Sequence, residues 1–168
     1  MLFRSTGLVP AVLAGARPAL RIAWVPALGL DLSLWLDPLG LLFAGLILGI
    51  GLLVIVYAAG YLSAPEPTGR FLSFLMLFQG AMLGIALSSN VLLMLVFWEL
   101  TSLSSFLLIG FWRDRVEARQ GARMALAVTG GGGLALIAAM LLLGQAAGSY
   151  ELSTILTRGA LVRGSPLY

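Results

Sequence analysis

Asn90-Val91-Leu92-Leu93-Met94-Leu95-Val96-Phe97-Trp98-Glu99-Leu100-Thr101-Ser102-Leu103-Ser104-Ser105-Phe106-Leu107-Leu108-Ile109-Gly110-Phe111-Trp112 is a run of 23 residues with a single charge, Glu99, near its middle. A helix of ~20 apolar residues, rising ~1.5 Å per residue, crosses the hydrocarbon of a bilayer. This run is long enough to do so. An ionised acid at the centre of such a helix costs on the order of 2.5–3.5 kcal/mol on insertion scales. Its presence there points to function rather than packing. An acid in hydrocarbon is most stable in its neutral form, so Glu99 is expected to be a proton carrier. It can hold a proton and, given a partner, release it, which implies ion transport.

Working outward, Ser88-Ser89-Asn90 is a tight turn, and residues 71–88 before it form a second apolar run. Two spans joined this closely must be antiparallel neighbours. A third run, residues 38–62, is opened by Asp37-Pro38. Asp can cap the free amides of a helix start, and Pro suits the first helical position. Tyr57 and Tyr61 sit near its far end, where aromatic rings favour the interface. The polar stretch Ser63–Arg70 follows, with Arg70 able to snorkel at the mouth of the next span. Beyond Trp112 the charged stretch Arg113–Arg123 reads as a loop, and residues 124–146 as a fourth span. Residues 147–168 read as a polar tail with a short amphipathic helix at Glu151–Thr157.

Before the spans, Leu30, Leu32, Leu34 and Leu36 alternate with Asp31, Ser33, Trp35 and Asp37. Period two predicts a strand with one apolar face. Ile22–Val25 is its expected partner and Pro26–Gly29 the turn, giving a β-hairpin at the membrane surface over residues 22–37. Pro10, Pro18 and Pro26 make residues 1–29 an irregular leader. A cleavable signal peptide is the less favoured reading, because Pro10 interrupts its apolar part. The expected fold class is therefore all-α integral membrane: four transmembrane helices preceded by a short extracytoplasmic β-hairpin.

Composition agrees. Of 168 residues, 60% are hydrophobic and 10% charged, against ~25% charged in a soluble domain. There is no cysteine and no histidine, which excludes disulfides, thiol chemistry and the usual zinc sites. No metal and no cofactor is expected. The ten basic residues are all arginine and flank the apolar runs, as membrane-bordering charges do rather than a nucleic-acid patch. Four of them, Arg113, Arg115, Arg119 and Arg123, lie between the third and fourth spans. The positive-inside bias then predicts a cytoplasmic Arg113–Arg123 loop in a cell (inner) membrane, with both termini and the hairpin outside.

Two further polar residues are candidate partners of Glu99. Ser102 lies one turn on along the same face, and its hydroxyl could bond either protonation state or hold a water. Gln79, mid-span in residues 71–88, suits interhelical packing as well as a pathway. Thr101, Ser104 and Ser105 read as packing residues that bond back to their own helix. Gly45 and Gly49, and Gly80 and Gly84, have the spacing of helix contact faces. Gly130–Gly133 would allow a kink or a close approach, packing being the favoured reading.

The segment Phe97-Trp98-Glu99-Leu100-Thr101-Ser102-Leu103-Ser104-Ser105, with Phe106–Trp112, resembles the large subunit of Mrp-type multisubunit sodium/proton antiporters. That family is related to the antiporter-like subunits of respiratory complex I. Its members share a Trp-Glu in the fifth helix and a similar aromatic ending before a charged loop. The resemblance runs from about Trp24 to Leu156, through Gly49–Val54 and Tyr57 of the first span and Gly148–Ser153, and covers roughly helices three to six.

The resemblance implies that Glu99 belongs to a proton pathway, pairing in the family with a lysine on a seventh, broken helix. This chain has no lysine. The resemblance thus implies part of a cation/proton antiporter, an ion transporter rather than an enzyme, exchanging Na+ for protons. Its expected partners are the other antiporter subunits and the bilayer, with no nucleic acid. The rival readings are a proton-translocating component of a complex I-like or hydrogenase redox complex, and a non-transporting membrane scaffold or inactive truncated fragment.

Overall fold

A computed structural model describes residues 7–62 and 67–159. The part of the leader at residues 1–6, the loop residues 63–66 and the tail residues 160–168 lie outside it. Four helices are long and apolar enough to cross a membrane: α2 (Pro38–Tyr61), α3 (Thr68–Leu87), α4 (Val91–Ile109) and α5 (Val116–Ala147). Before them lie a short helix α1 (Leu8–Leu13), strand β1 (Ala19–Val25), a 3₁₀ turn (Pro26–Leu28) and strand β2 (Leu30–Trp35). A short helix α6 (Leu152–Thr157) follows. The mostly helical architecture with four spans and one antiparallel hairpin is the class expected from sequence.

The spans pack in chain order as a row, α3 against α2, α4 against α3 and α5 against α4. Leucines such as Leu42, Leu53 and Leu134 stay exposed along them. In water such surface would drive association; in a membrane it meets lipid tails or neighbouring helices. The helix starts follow local chemistry. Asp37 Oδ1 accepts from Gly40 N at 2.7 Å and Pro38 takes the first helical position. Asn90 Oδ1 accepts from Leu92 N and Leu93 N at 3.0 and 3.2 Å, capping α4. At the other end of α5, Gly148 is left-handed with φ 66°, a backbone state that glycine adopts without strain.

Three local readings change. The leader is not wholly irregular, because α1 forms in it and buries Val12. The partner strand begins at Ala19 rather than Ile22, with a register shift between Ala23 and Val25. The Arg113–Arg123 stretch is not all loop: α5 begins at Val116 and carries Arg119 and Arg123 on helix. At ~1.5 Å per residue its 32 residues reach ~48 Å, well beyond ~30 Å of hydrocarbon, so this charged start can stand in the headgroup layer.

The hairpin is attached by its polar face. Ser33 is the buried residue of β2. Its Oγ lies 2.6 Å from Ser89 Oγ and donates to Glu151 Oε2 at 3.2 Å. Asn90 Nδ2 donates to Gly29 O at 3.0 Å and to Glu151 Oε1 at 3.1 Å. Backbone bonds from Ser89 N to Ser33 O and from Leu152 N to Ser89 O extend the contact. One knot of polar groups thus ties the hairpin, the α3–α4 turn and the α5–α6 link. Beside it, Arg21 Nε donates to Asp31 Oδ2 at 3.0 Å. That bond first, then the charge of Glu151, raises the Arg21 guanidinium above its ordinary pKa.

Candidate functional site

Glu99 lies midway along α4. The side of α4 bearing Phe97 meets α3: the Phe97 ring lies over Gly84, where an added Cβ would collide with ring carbons. Two residues on, ~200° around the helix, Glu99 turns the other way, towards α5. There its carboxyl lies over Gly133, and an added Cβ would run into Oε1. The run Gly130–Gly133 therefore has one residue that matters here. Gly130, Gly131 and Gly132 have nothing within 4 Å of an added Cβ, while Gly133 is buried and makes room for an acid from the next helix.

Glu99 Oε1 is buried and has no hydrogen-bond partner among the described residues. Buried polar atoms are nearly always satisfied, and each exception calls for a physical reason. The neighbouring hydroxyls do not supply the missing bond. Ser102 is buried as its face predicts, but its Oγ donates to its own helix, to Trp98 O at 3.4 Å. Thr101 and Ser104 do likewise, to Trp98 O and Leu100 O, each at 2.7 Å. Ser102, Ser105 and Thr129 line a groove of about 580 Å³ along α4 and α5, shared with Trp98 and Gly132.

Gln79 belongs to a different contact. It is buried on α3, its Nε2 donates to Ile47 O on α2 at 3.1 Å, and its amide occupies the space that a Cβ at Gly51 would take. Ser102 thus shares a helix and a flank with Glu99, whereas Gln79 joins α2 to α3 and no hydrogen bond links it to Glu99. Of the four glycines at contact-face spacing only Gly84 takes a neighbouring side chain, while Gly45, Gly49 and Gly80 face open space; Gly51, outside that spacing, takes the Gln79 amide.

Two features were missed in the sequence. One is the pairing of Glu99 with Gly133, for which the glycine run was the available signal. The other is Arg70, which does more than snorkel. Its Nη2 donates to Phe111 O at 2.9 Å and its guanidinium lies 5.0 Å from the Phe111 ring centroid.

The chain resembles known proteins over nearly all of its length. A family model described as "NADH:quinone oxidoreductase/Mrp antiporter, TM" matches residues 88–165. A second, "NADH-Ubiquinone oxidoreductase (complex I), chain 5 N-terminus", matches residues 24–72. A probable K(+)/H(+) antiporter protein of the A/B type from Rhizobium meliloti (strain 1021) is 48% identical over 98% of this chain and 16% of its own length. The A1 component of a Na(+)/H(+) antiporter from Staphylococcus aureus (strain JH9) is 43% identical over 96% of this chain and 20% of its own length. The chain therefore spans a sixth to a fifth of these relatives. Among solved structures, that of the Mrp complex from Dietzia sp. DQ12-45-1b matches with a TM-score of 0.79 and 36% identity, over 89% of this chain and 17% of that one. With a mid-span acid, a hairpin ahead of the spans and these relatives agreeing, this multi-pass membrane chain is similar, over nearly all of its own length, to a part of the Mrp-type antiporter subunits, kin to the antiporter-like subunits of complex I.

Proposed function

We propose that this chain supplies an intramembrane proton-carrying carboxyl, Glu99, to a cation/proton antiporter. The observation that carries the reading is the buried, unpartnered Oε1 of Glu99 set into the gap at Gly133. A carboxyl kept only to glue helices should have its hydrogen bonds met by the neighbouring helix. This one faces a residue with no side chain. Neutral, it is tolerated in hydrocarbon; ionised, it needs a positive group or water beside it. Its cycle between the two states, driven by a partner that arrives and leaves, is what moves a proton.

The α2–α5 spans carry no second acid or base at that depth, so exchange requires a counter-charge from elsewhere in the antiporter assembly. The exchanged cation is Na+ or K+, the ions named for the relatives. In this role the chain works as one component of a transporter whose partners are other antiporter subunits. The test is a chimaera: residues 24–156 replace the matching stretch of a full-length relative, and cation-driven proton movement is followed in everted vesicles. Restored exchange supports the reading; a well-inserted chimaera with none contradicts it.

The sidedness belongs to the same proposal. The strap Gly110–Arg115 and the Arg-bearing start of α5 face the cytoplasm, and the hairpin faces outward. Because the chain has no cysteine, single cysteines report on this directly. Asp114→Cys should react with a membrane-impermeant maleimide only in everted vesicles, and Leu28→Cys only in intact cells. The reverse pattern sinks the assignment.

A further inference from the structure

We infer that the cleft between the start of α3, the end of α4 and the first turns of α5 binds a phosphate-bearing anion, and that its occupant is the headgroup of an anionic phospholipid. The cleft measures about 240 Å³, and four arginines line it: Arg70, Arg113, Arg119 and Arg123. Among the described residues no carboxylate lines it. Asp114 and Glu117, though close in sequence, are exposed and form no ion pair with these arginines among the described residues.

Like charges brought to one cleft repel, and the fold holds them there. Arg119 Nη1 donates to Arg113 O at 2.8 Å, fastening the strap to α5. Arg70 is gripped by Phe111, and its Nε is buried with no acceptor among the described residues. An anion in the cleft answers both features, by neutralising the charge and accepting from guanidinium N–H groups. Phosphate oxygens match guanidinium geometry well.

The lining favours a lipid over free phosphate. Phe74 and Phe106 give the cleft an apolar floor, suited to the first carbons of an acyl chain. It lies at the ends of three spanning helices, beside Phe111 and Trp112, where headgroups and interfacial aromatics sit. Clustered arginines at this level are the expected readers of anionic lipid.

The test uses the full chain, purified in detergent, with bound lipid read by native mass spectrometry. Phosphatidylglycerol should be retained about tenfold more strongly than phosphatidylcholine. The exposed pair Arg119→Gln/Arg123→Gln should reduce that retention about tenfold or more, with the helical circular dichroism unchanged. Arg158→Gln, where Nη1 binds Ala147 O near the end of α6, should leave it unchanged. Displacement of the lipid by millimolar inorganic phosphate, with the same arginine dependence, keeps the anion site but makes its occupant soluble phosphate. Equal retention of the two lipids, or no effect of the double variant, overturns the site. Neither readout depends on ion exchange, so the lipid site and the antiporter role fail separately.

Discussion

Glu99→Gln abolishes cation-driven proton exchange in the antiporter chimaera while leaving its insertion and assembly intact. Gln keeps the volume of Glu and can reproduce the neutral form, so the packing over Gly133 survives. What it cannot do is lose a proton. If Glu99 is an obligatory carrier, exchange falls to background, a loss of at least ~100-fold by the usual scale for removing an essential acid or base. Glu99→Asp keeps the proton but draws the carboxyl back towards α4 by one methylene, so partial exchange is expected. The measurement is the cation-induced pH change inside everted vesicles, normalised to the amount of assembled complex. Exchange at the parent rate in Glu99→Gln would leave the residue with a packing role alone.

The second large effect is expected at Gly133. Gly133→Val places branched carbons where Glu99 Oε1 sits. Overfilling a packed contact costs roughly 1–3 kcal/mol, so α4 and α5 should separate more readily in a detergent-denaturation titration. Exchange should fall with it, because the carboxyl is displaced. Gly131→Val is the control: nothing lies within 4 Å of an added Cβ there, and stability should change little. Residues that share a contact are non-additive, so Glu99→Ala should relieve most of the stability loss of Gly133→Val without restoring exchange. Equal losses at residues 131 and 133, or no relief in the double variant, would show that the two side chains do not meet.

What the sequence disclosed was mostly local physics. A single acid in a 23-residue run with no other charge, Asp37-Pro38 ahead of an apolar run, and leucines alternating with polar residues each state their element without reference to the rest of the chain. The start of α5 was hidden because Arg113–Arg123 reads as a solvated loop by charge. Its residues Glu117-Ala118-Arg119-Gln120 are good helix formers all the same, and a helix 32 residues long can leave its charged turns outside the hydrocarbon. Similarly, β2 shows an apolar face, yet Ser33 is the residue it buries, because Ser89, Asn90 and Glu151 arrive from distant parts of the chain to meet it.

The site was legible in the same uneven way. Glu99 announces itself by the energy of placing it in lipid. Gly133 could be noticed only as one of four adjacent glycines, since which of them faces α4 depends on how two helices cross. Ser102 stands one turn on from Glu99 in the chain, and its hydroxyl has a nearby acceptor in the Trp98 carbonyl; helical hydroxyls commonly take that option. Gln79 has the depth of a pathway residue and the contacts of an α2–α3 tie.

The proposed proton carriage by Glu99 requires a carboxyl that is shielded from bulk water yet exchanges its proton. Infrared difference spectra of the assembled antiporter, with the Glu99→Gln variant subtracted, observe that group alone. A protonated-carboxyl band that shifts in heavy water, then loses intensity as pH rises or the transported cation is added, is the expected result. A band that ignores heavy water, pH and cation, or a Glu99 that is ionised under all conditions, would contradict it.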